Sequence, residues 1–119
     1  MQTSDRIEPF DFATAAEWEA WLASHVDQEG GVWLKIAKKG SAKTSVAILE
    51  ALDVALCYGW IDSQRKSYDQ DYYLQRYSPR RPKSPWSKIN VDRVEVLLAE
   101  GRIRARGLAE IRAAQADGR

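Results

Sequence analysis

Two runs of strand-forming composition, Trp60 to Ser67 and Tyr72 to Ser78, are separated only by Tyr68-Asp69-Gln70-Asp71. Aromatic and β-branched residues on either side of so short a polar turn predict two strands that fold back on each other. Such a hairpin cannot bury its own apolar surface, so the rest of the chain must supply a cover. Upstream, Val32, Leu34 and Ile36 alternate with Trp33, Lys35 and Ala37. This predicts a third strand, apolar enough to be covered on both faces.

The cover is helical. Thr14-Ala-Ala-Glu17 has the form of a capping box, with the Thr14 hydroxyl taking the Glu17 amide and the Glu17 carboxylate reaching back to the Thr14 amide. Trp18, Leu22 and Val26 follow at four-residue spacing, with Trp21 and His25 beside them, so a helix runs to about Val26 before Gly30-Gly31 breaks it. Lys38 to Ser45 is a polar loop. A second helix reaches about Tyr58, burying Leu49, Leu52, Ala55 and Leu56, and stops at Gly59 in a left-handed cap. Pro79, Pro82 and Pro85 keep the segment after the hairpin extended and out of any sheet interior. Asn90 caps a helix to about Glu100 with Val94, Leu97 and Leu98 inward; beyond Gly101 a last helix carries Leu108 and Ile111. The order α-β-α-β-β-α-α predicts an α+β fold: a small, mostly antiparallel three-stranded sheet with helices packed on it, one domain spanning 1–119.

A domain of 119 residues buries roughly two-thirds of its unfolded surface and needs neither disulfide nor metal to fold. The one cysteine, Cys57, and the one histidine, His25, leave no thiolate cage and no histidine pair, so no metal or other cofactor is expected. No apolar run approaches the ~18 residues of a membrane span. Met1 to Phe12 holds Asp5, Arg6 and Glu8 and lacks the apolar centre of a signal peptide, which makes the cytoplasm the expected compartment.

Charge is unevenly spread. Between Asp71 and Asp92 there is no acid, while Arg76, Arg80, Arg81, Lys83 and Lys88 give that window +5 in a chain whose net charge is +1. Tyr72, Tyr73, Tyr77 and Trp86 are interleaved with these cations. Guanidinium forks beside hydroxyls and a helix start suit a phosphate or carboxylate, and the rings suit stacking; the competing reading is a solvated basic loop with Trp86 plugging the core.

Other motifs weigh less. Lys38-Lys-Gly-Ser-Ala-Lys-Thr44 sits where a phosphate-binding loop would, but alanines at 37 and 42 replace both required glycines, which argues against a nucleotide hydrolase of that type. Cys57 lies at a helix end, where the dipole disfavours a thiolate, so it reads as structural. His25 flanks a core stripe and reads as packed. Asp62 and Arg76 form a plausible pair across the hairpin, as a structural ion pair or as one wall of a site. Arg102, Arg104, Arg106 and Arg112 around the last turn invite a helix-turn-helix reading, but Glu95, Glu100 and Glu110 offset them. With a pI near 7.8, this argues against a nucleic-acid partner.

Three ordered blocks carry a resemblance: Ala55-Leu-Cys-Tyr-Gly-Trp-Ile-Asp62, Tyr73-Leu-Gln-Arg-Tyr-Ser-Pro-Arg-Arg81 and Ser84-Pro-Trp-Ser-Lys-Ile-Asn90. They resemble signature blocks of the YdeI/OmpD-associated family of bacterial proteins. Trp18-Glu-Ala-Trp21 and Gly31-Val-Trp-Leu-Lys-Ile-Ala-Lys-Lys39 are similar to its amino-terminal blocks, and Arg93 to Ile111 to its helical continuation. Members usually continue into a further helical segment beyond the point reached by Arg119. The resemblance implies an association with bacteriocin protection, antimicrobial-peptide and stress resistance, and an outer-membrane porin, but no reaction.

The expectation is therefore a non-catalytic binding domain for an anionic small molecule or protein partner. Its site would be built from Trp60, Asp62, Tyr73, Arg76, Arg80, Arg81, Trp86, Ser87 and Asn90, with the start of the helix at Asn90 adding amide donors. The alternatives are an enzyme acting on an anionic substrate, with Asp62 or a tyrosine carrying the proton, and a stress-related protein-interaction module presenting tryptophan surface.

Overall fold

A computed structural model describes residues 9–28, 30–80 and 86–116. The elements follow the expected order: α1 (Ala15–Ala23), β1 (Val32–Ala37), α2 (Ile48–Cys57), β2 (Trp60–Ser67), β3 (Tyr72–Pro79), α3 (Lys88–Ala99) and α4 (Ala105–Ala116). The strands form one antiparallel sheet in the order β1-β3-β2. Phe10 extends the sheet at the free edge of β1, donating to the Trp33 carbonyl and accepting from the Lys35 amide.

The register sorts the side chains by face. Val32, Leu34 and Ile36 lie opposite Tyr77, Gln75 and Tyr73, and all six point to the helical side, where Trp60 and Asp62 join them. Trp33, Lys35, Leu74 and Arg76 point outward. β1 is therefore covered on one face only, because the helices all pack on the same side and Trp33, Lys35 and Ala37 stay half-buried. A bulge in β2 between Asp62 and Arg65 lets Arg65 face Gln75 and sends Lys66 outward beside Leu74.

Trp18 of α1 and Trp60 of β2 are wholly buried, each tied by its indole N–H to a backbone carbonyl, that of Ala51 and that of Val26 respectively. α2 runs along β2, and α3 and α4 pack against α2. Asp53 of α2, buried, takes a two-pronged contact from Arg93 of α3: Nε to Oδ1 at 2.9 Å and Nη2 to Oδ2 at 2.7 Å. Gly107 of α4 lies so close to α2 that an added Cβ would sit 2.6 Å from the Cys57 carbonyl oxygen.

Several local expectations shift. α1 ends at Ala23, short of Val26. The Glu17 carboxylate reaches the Ala13 amide, one residue before the expected Thr14. Leu49 is 58% exposed because it sits in the first turn of α2, a turn before Arg93 of α3 closes over Asp53. Leu98 is 41% exposed, as α3 turns Val94 and Leu97 inward instead. Ser87 caps α3, its hydroxyl taking the Asn90 amide at 3.1 Å, so the cap lies three residues before the expected Asn90. Pro79 closes β3 opposite Trp60, beyond the last β1 partner, so its missing N–H breaks no ladder bond. Pro82 and Pro85 lie outside the described residues. Among the described residues, no helix is long and apolar enough to cross a membrane.

Candidate functional site

Of the nine residues expected to share one pocket, the eight that are described fall into separate neighbourhoods. Trp60 is a core side chain with no exposed surface. Arg76 points outward and donates from Nη2 to the Gly30 carbonyl at 2.8 Å. Asp62 faces inward opposite Tyr77, so the Asp62–Arg76 pair is not formed: the sheet register puts the two side chains on opposite faces. Arg81 lies outside the described residues.

Arg80, Trp86, Ser87 and Asn90 do come together. The Arg80 backbone N–H bonds to the Gly59 carbonyl, its guanidinium carbon lies 3.9 Å from the centroid of the Trp86 ring, and Nη2 donates to Asn90 Oδ1 at 3.2 Å. With Arg80 only 5% exposed, this cluster joins the end of β3 to the first turn of α3 and leaves the guanidinium little surface for a ligand. The arginines around the α3–α4 turn are likewise engaged: Arg102 with Glu100, Arg104 with Glu19 and Arg106 with Asp27.

Tyr77 carries an unusual group. Its hydroxyl is buried without a hydrogen-bond partner, and burial, reinforced by the nearby Asp62 charge, raises its pKa far above the ordinary phenol value. Cys57 is buried as well; burial pushes its thiol up to about 11, as befits a packing residue. His25 stacks on Trp21 at 4.2 Å and its Nδ1 bonds to the Trp21 carbonyl, a structural arrangement.

Tyr73 leads to a different place. Its ring forms one wall of a cavity of about 420 Å³ at the end of the sheet, between the β1–α2 loop and the start of α2. Ile36, Val46 and Ile48 supply apolar lining, while Lys39, Lys43 and Thr44 are exposed along its rim. The Arg65 guanidinium lies 4.5 Å from the centroid of the Tyr73 ring, held by its Nε–H to Gln75 at 3.0 Å. The loop is braced from outside the cavity: Asp71 accepts from Lys38 N at its carbonyl and from Ser41 Oγ at its carboxylate. The Ser45 hydroxyl accepts the Ala37 amide. This is the segment whose resemblance to a phosphate loop fails on its glycines. The motif fails, but the placement puts two lysines beside an apolar hollow.

Fold and cavity together define a small α+β domain with a cation-rimmed pocket at one end of its sheet. The chain belongs to the family described as a domain of unknown function (DUF8412), whose model matches residues 10–110. No curated protein and no solved structure matches it.

Proposed function

We propose that the domain is a non-catalytic binding module for a small molecule with an anionic group on an apolar or ring-shaped body. The observation that carries this reading is the cavity itself, with Lys39 and Lys43 at the rim and Ile36, Val46, Ile48 and the Tyr73 ring inside. Apolar lining with a few convergent polar groups is what small-ligand sites have in common. The lysines act as point charges for a phosphate or carboxylate, and the ring offers a stacking face. The reading keeps the expected ligand class and moves its site from the proline-bearing stretch to the β1–α2 loop.

The test is a thermal-shift screen of phosphorylated metabolites, nucleotides and aromatic carboxylates, followed by calorimetry on any hit. A ligand at ten times its Kd stabilises by about 1.4 kcal/mol, which raises the melting temperature of a domain this size by about 5 °C. Lys39→Gln with Lys43→Gln should abolish the shift while leaving the unliganded melting temperature unchanged, since both side chains are exposed. A screen in which no anion shifts the melting temperature, or equal binding by the double variant, defeats the proposal.

A second reading rests on another observation. Trp86, Val91, Val94, Leu98 and Ile111 line a shallow apolar cleft of about 200 Å³ between α3 and α4, and Val91 and Leu98 are each 41% exposed. This favours the protein-interaction alternative, and the YdeI/OmpD-like blocks would link it to bacteriocin or antimicrobial-peptide resistance. A partner captured in high salt by the intact protein but not by Leu98→Asp would support it; capture that salt abolishes would not.

A further inference from the structure

We propose that the outer face of the sheet binds single-stranded nucleic acid, with Trp33 and Tyr68 as stacking platforms and Lys35, Lys66 and Arg76 as phosphate partners. All described helices pack on the opposite side, and the outward strand positions carry these three cations with no carboxylate among them. Each lysine already lies against a ring. Lys66 Nζ is 5.4 Å from the Trp33 centroid, and Lys35 Nζ is 4.3 Å from that of Tyr72 and 5.4 Å from that of Tyr68. Between them Leu74, although outward-facing, is only 2% exposed. The rings and lysine stems therefore form a layer closed over Leu74.

That layer selects the partner. A layer closed over Leu74 does not engulf a small molecule, and a folded acidic partner brings charge without planar rings. A single strand brings both, at a spacing set by its backbone. Base stacking on an aromatic ring is stronger than an exposed ammonium–ring contact. An arriving base therefore displaces Lys66, which is exposed, from Trp33 and releases its ammonium to a phosphate. Tyr68 is 48% exposed in the β2–β3 turn, already available to a second base. Asp11 reaches Lys35 at 3.8 Å from the β1 edge and leaves Lys66 and Arg76 to carry most of the attraction. Asp69 and Asp71 share the turn with Tyr68, and Asp69 lies near enough to interact with Lys35, so the attraction is concentrated at the Lys66 and Arg76 side of the face.

The test is fluorescence anisotropy with labelled twelve-nucleotide oligo-dT and oligo-U on the full chain. Three phosphate contacts give a salt slope of about −2, so affinity should fall roughly twentyfold between 50 and 200 mM salt, and a duplex should bind more weakly. Trp33→Ala should weaken binding about tenfold at an unchanged slope, and Trp33→Phe should restore most of it. Lys66→Gln should lower the slope by about 0.7. Tyr68→Ala, in an exposed turn, gives the same reading of stacking should Trp33→Ala not fold. The Lys39 and Lys43 double variant should bind normally, which separates this face from the cavity. No anisotropy change at 50 mM salt and about 100 µM protein overturns the proposal. So does a Trp33→Ala/Tyr68→Ala series with no effect, or heparin and anionic vesicles binding as tightly as the oligonucleotides.

Discussion

Replacing Tyr77 by phenylalanine should stabilise this protein. The ring is wholly buried, 5.5 Å centroid to centroid from Trp18, and it keeps all of that packing when only the hydroxyl is removed. The hydroxyl has no hydrogen-bond partner, and a buried unpaired polar group costs about 1–3 kcal/mol relative to the unfolded chain, where water satisfies it. Against this stands the small void left by one oxygen. At about 24 cal/mol per Å³, a void of roughly 10 Å³ costs only a few tenths of a kcal/mol. The balance favours Tyr77→Phe by about 1 kcal/mol, or about 4 °C in melting temperature. Urea titration followed by tryptophan fluorescence gives the number directly, with an unchanged m-value showing that the unfolded state is not responsible. Alkaline difference spectra provide a second measure. The native protein should retain one tyrosine that resists ionisation well above the ordinary phenol range, and the variant should lose it. A loss of about 0.5 kcal/mol or more on substitution would refute the reasoning, because it would mean that the hydroxyl has a partner.

Other positions give equally direct tests. Gly107→Ala should cost about 2 kcal/mol or more by urea titration, since the new methyl meets backbone oxygens of Leu56 and Cys57 at 2.9 and 2.6 Å that cannot move aside without shifting α2. Arg93→Met should destabilise by about 2–4 kcal/mol because it leaves Asp53 buried and charged, and Asp53→Asn in the same chain should recover part of that loss. With its thiol pushed up to about 11, Cys57 should be almost entirely protonated at pH 8 and react with iodoacetamide only as fast as the protein unfolds. Because burial favours the neutral thiol, its contribution to stability is complete below the unfolded pKa and is lost as pH rises towards 11.

The fold was legible because its signals are local. The hairpin needed only two runs and a four-residue turn, α1 only its capping box and tryptophan spacing, and Gly59 only its place after an apolar helix; it adopts φ +79°. The candidate site was not legible, because its geometry is set between elements. Arg76 and Arg80 look equivalent in the sequence, yet one reaches the Gly30 carbonyl and the other is buried under Trp86. Asp53 and Arg93 are 40 residues apart and gave no sign of pairing. In the β1–α2 loop, a glycine pattern tests for only one way of wrapping phosphate. It does not test whether Lys39 and Lys43 overhang a hollow made by Tyr73 from across the sheet.

One residue of irregularity in β2 ties these observations together. Strict alternation from Trp60 would turn Lys66 inward and Arg65 outward. The bulge after Asp62 reverses both, so Arg65 reaches Gln75 and Tyr73 at the cavity end while Lys66 crosses over Trp33 on the outer face. Bulges persist where they re-aim side chains, and this one sets Arg65 against the Tyr73 ring and Lys66 over Trp33. Deleting Ser63 removes the extra residue, so it should leave a folded hairpin with Arg65 still opposite Gln75 and Lys66 still outward, the exposed residues 63–67 tolerating the change. Circular dichroism would report retained structure, and both the ligand-induced thermal shift and the oligonucleotide anisotropy should persist. If binding at either face is lost although the hairpin folds, register alone does not place these cations, and the local geometry of the bulge is needed as well.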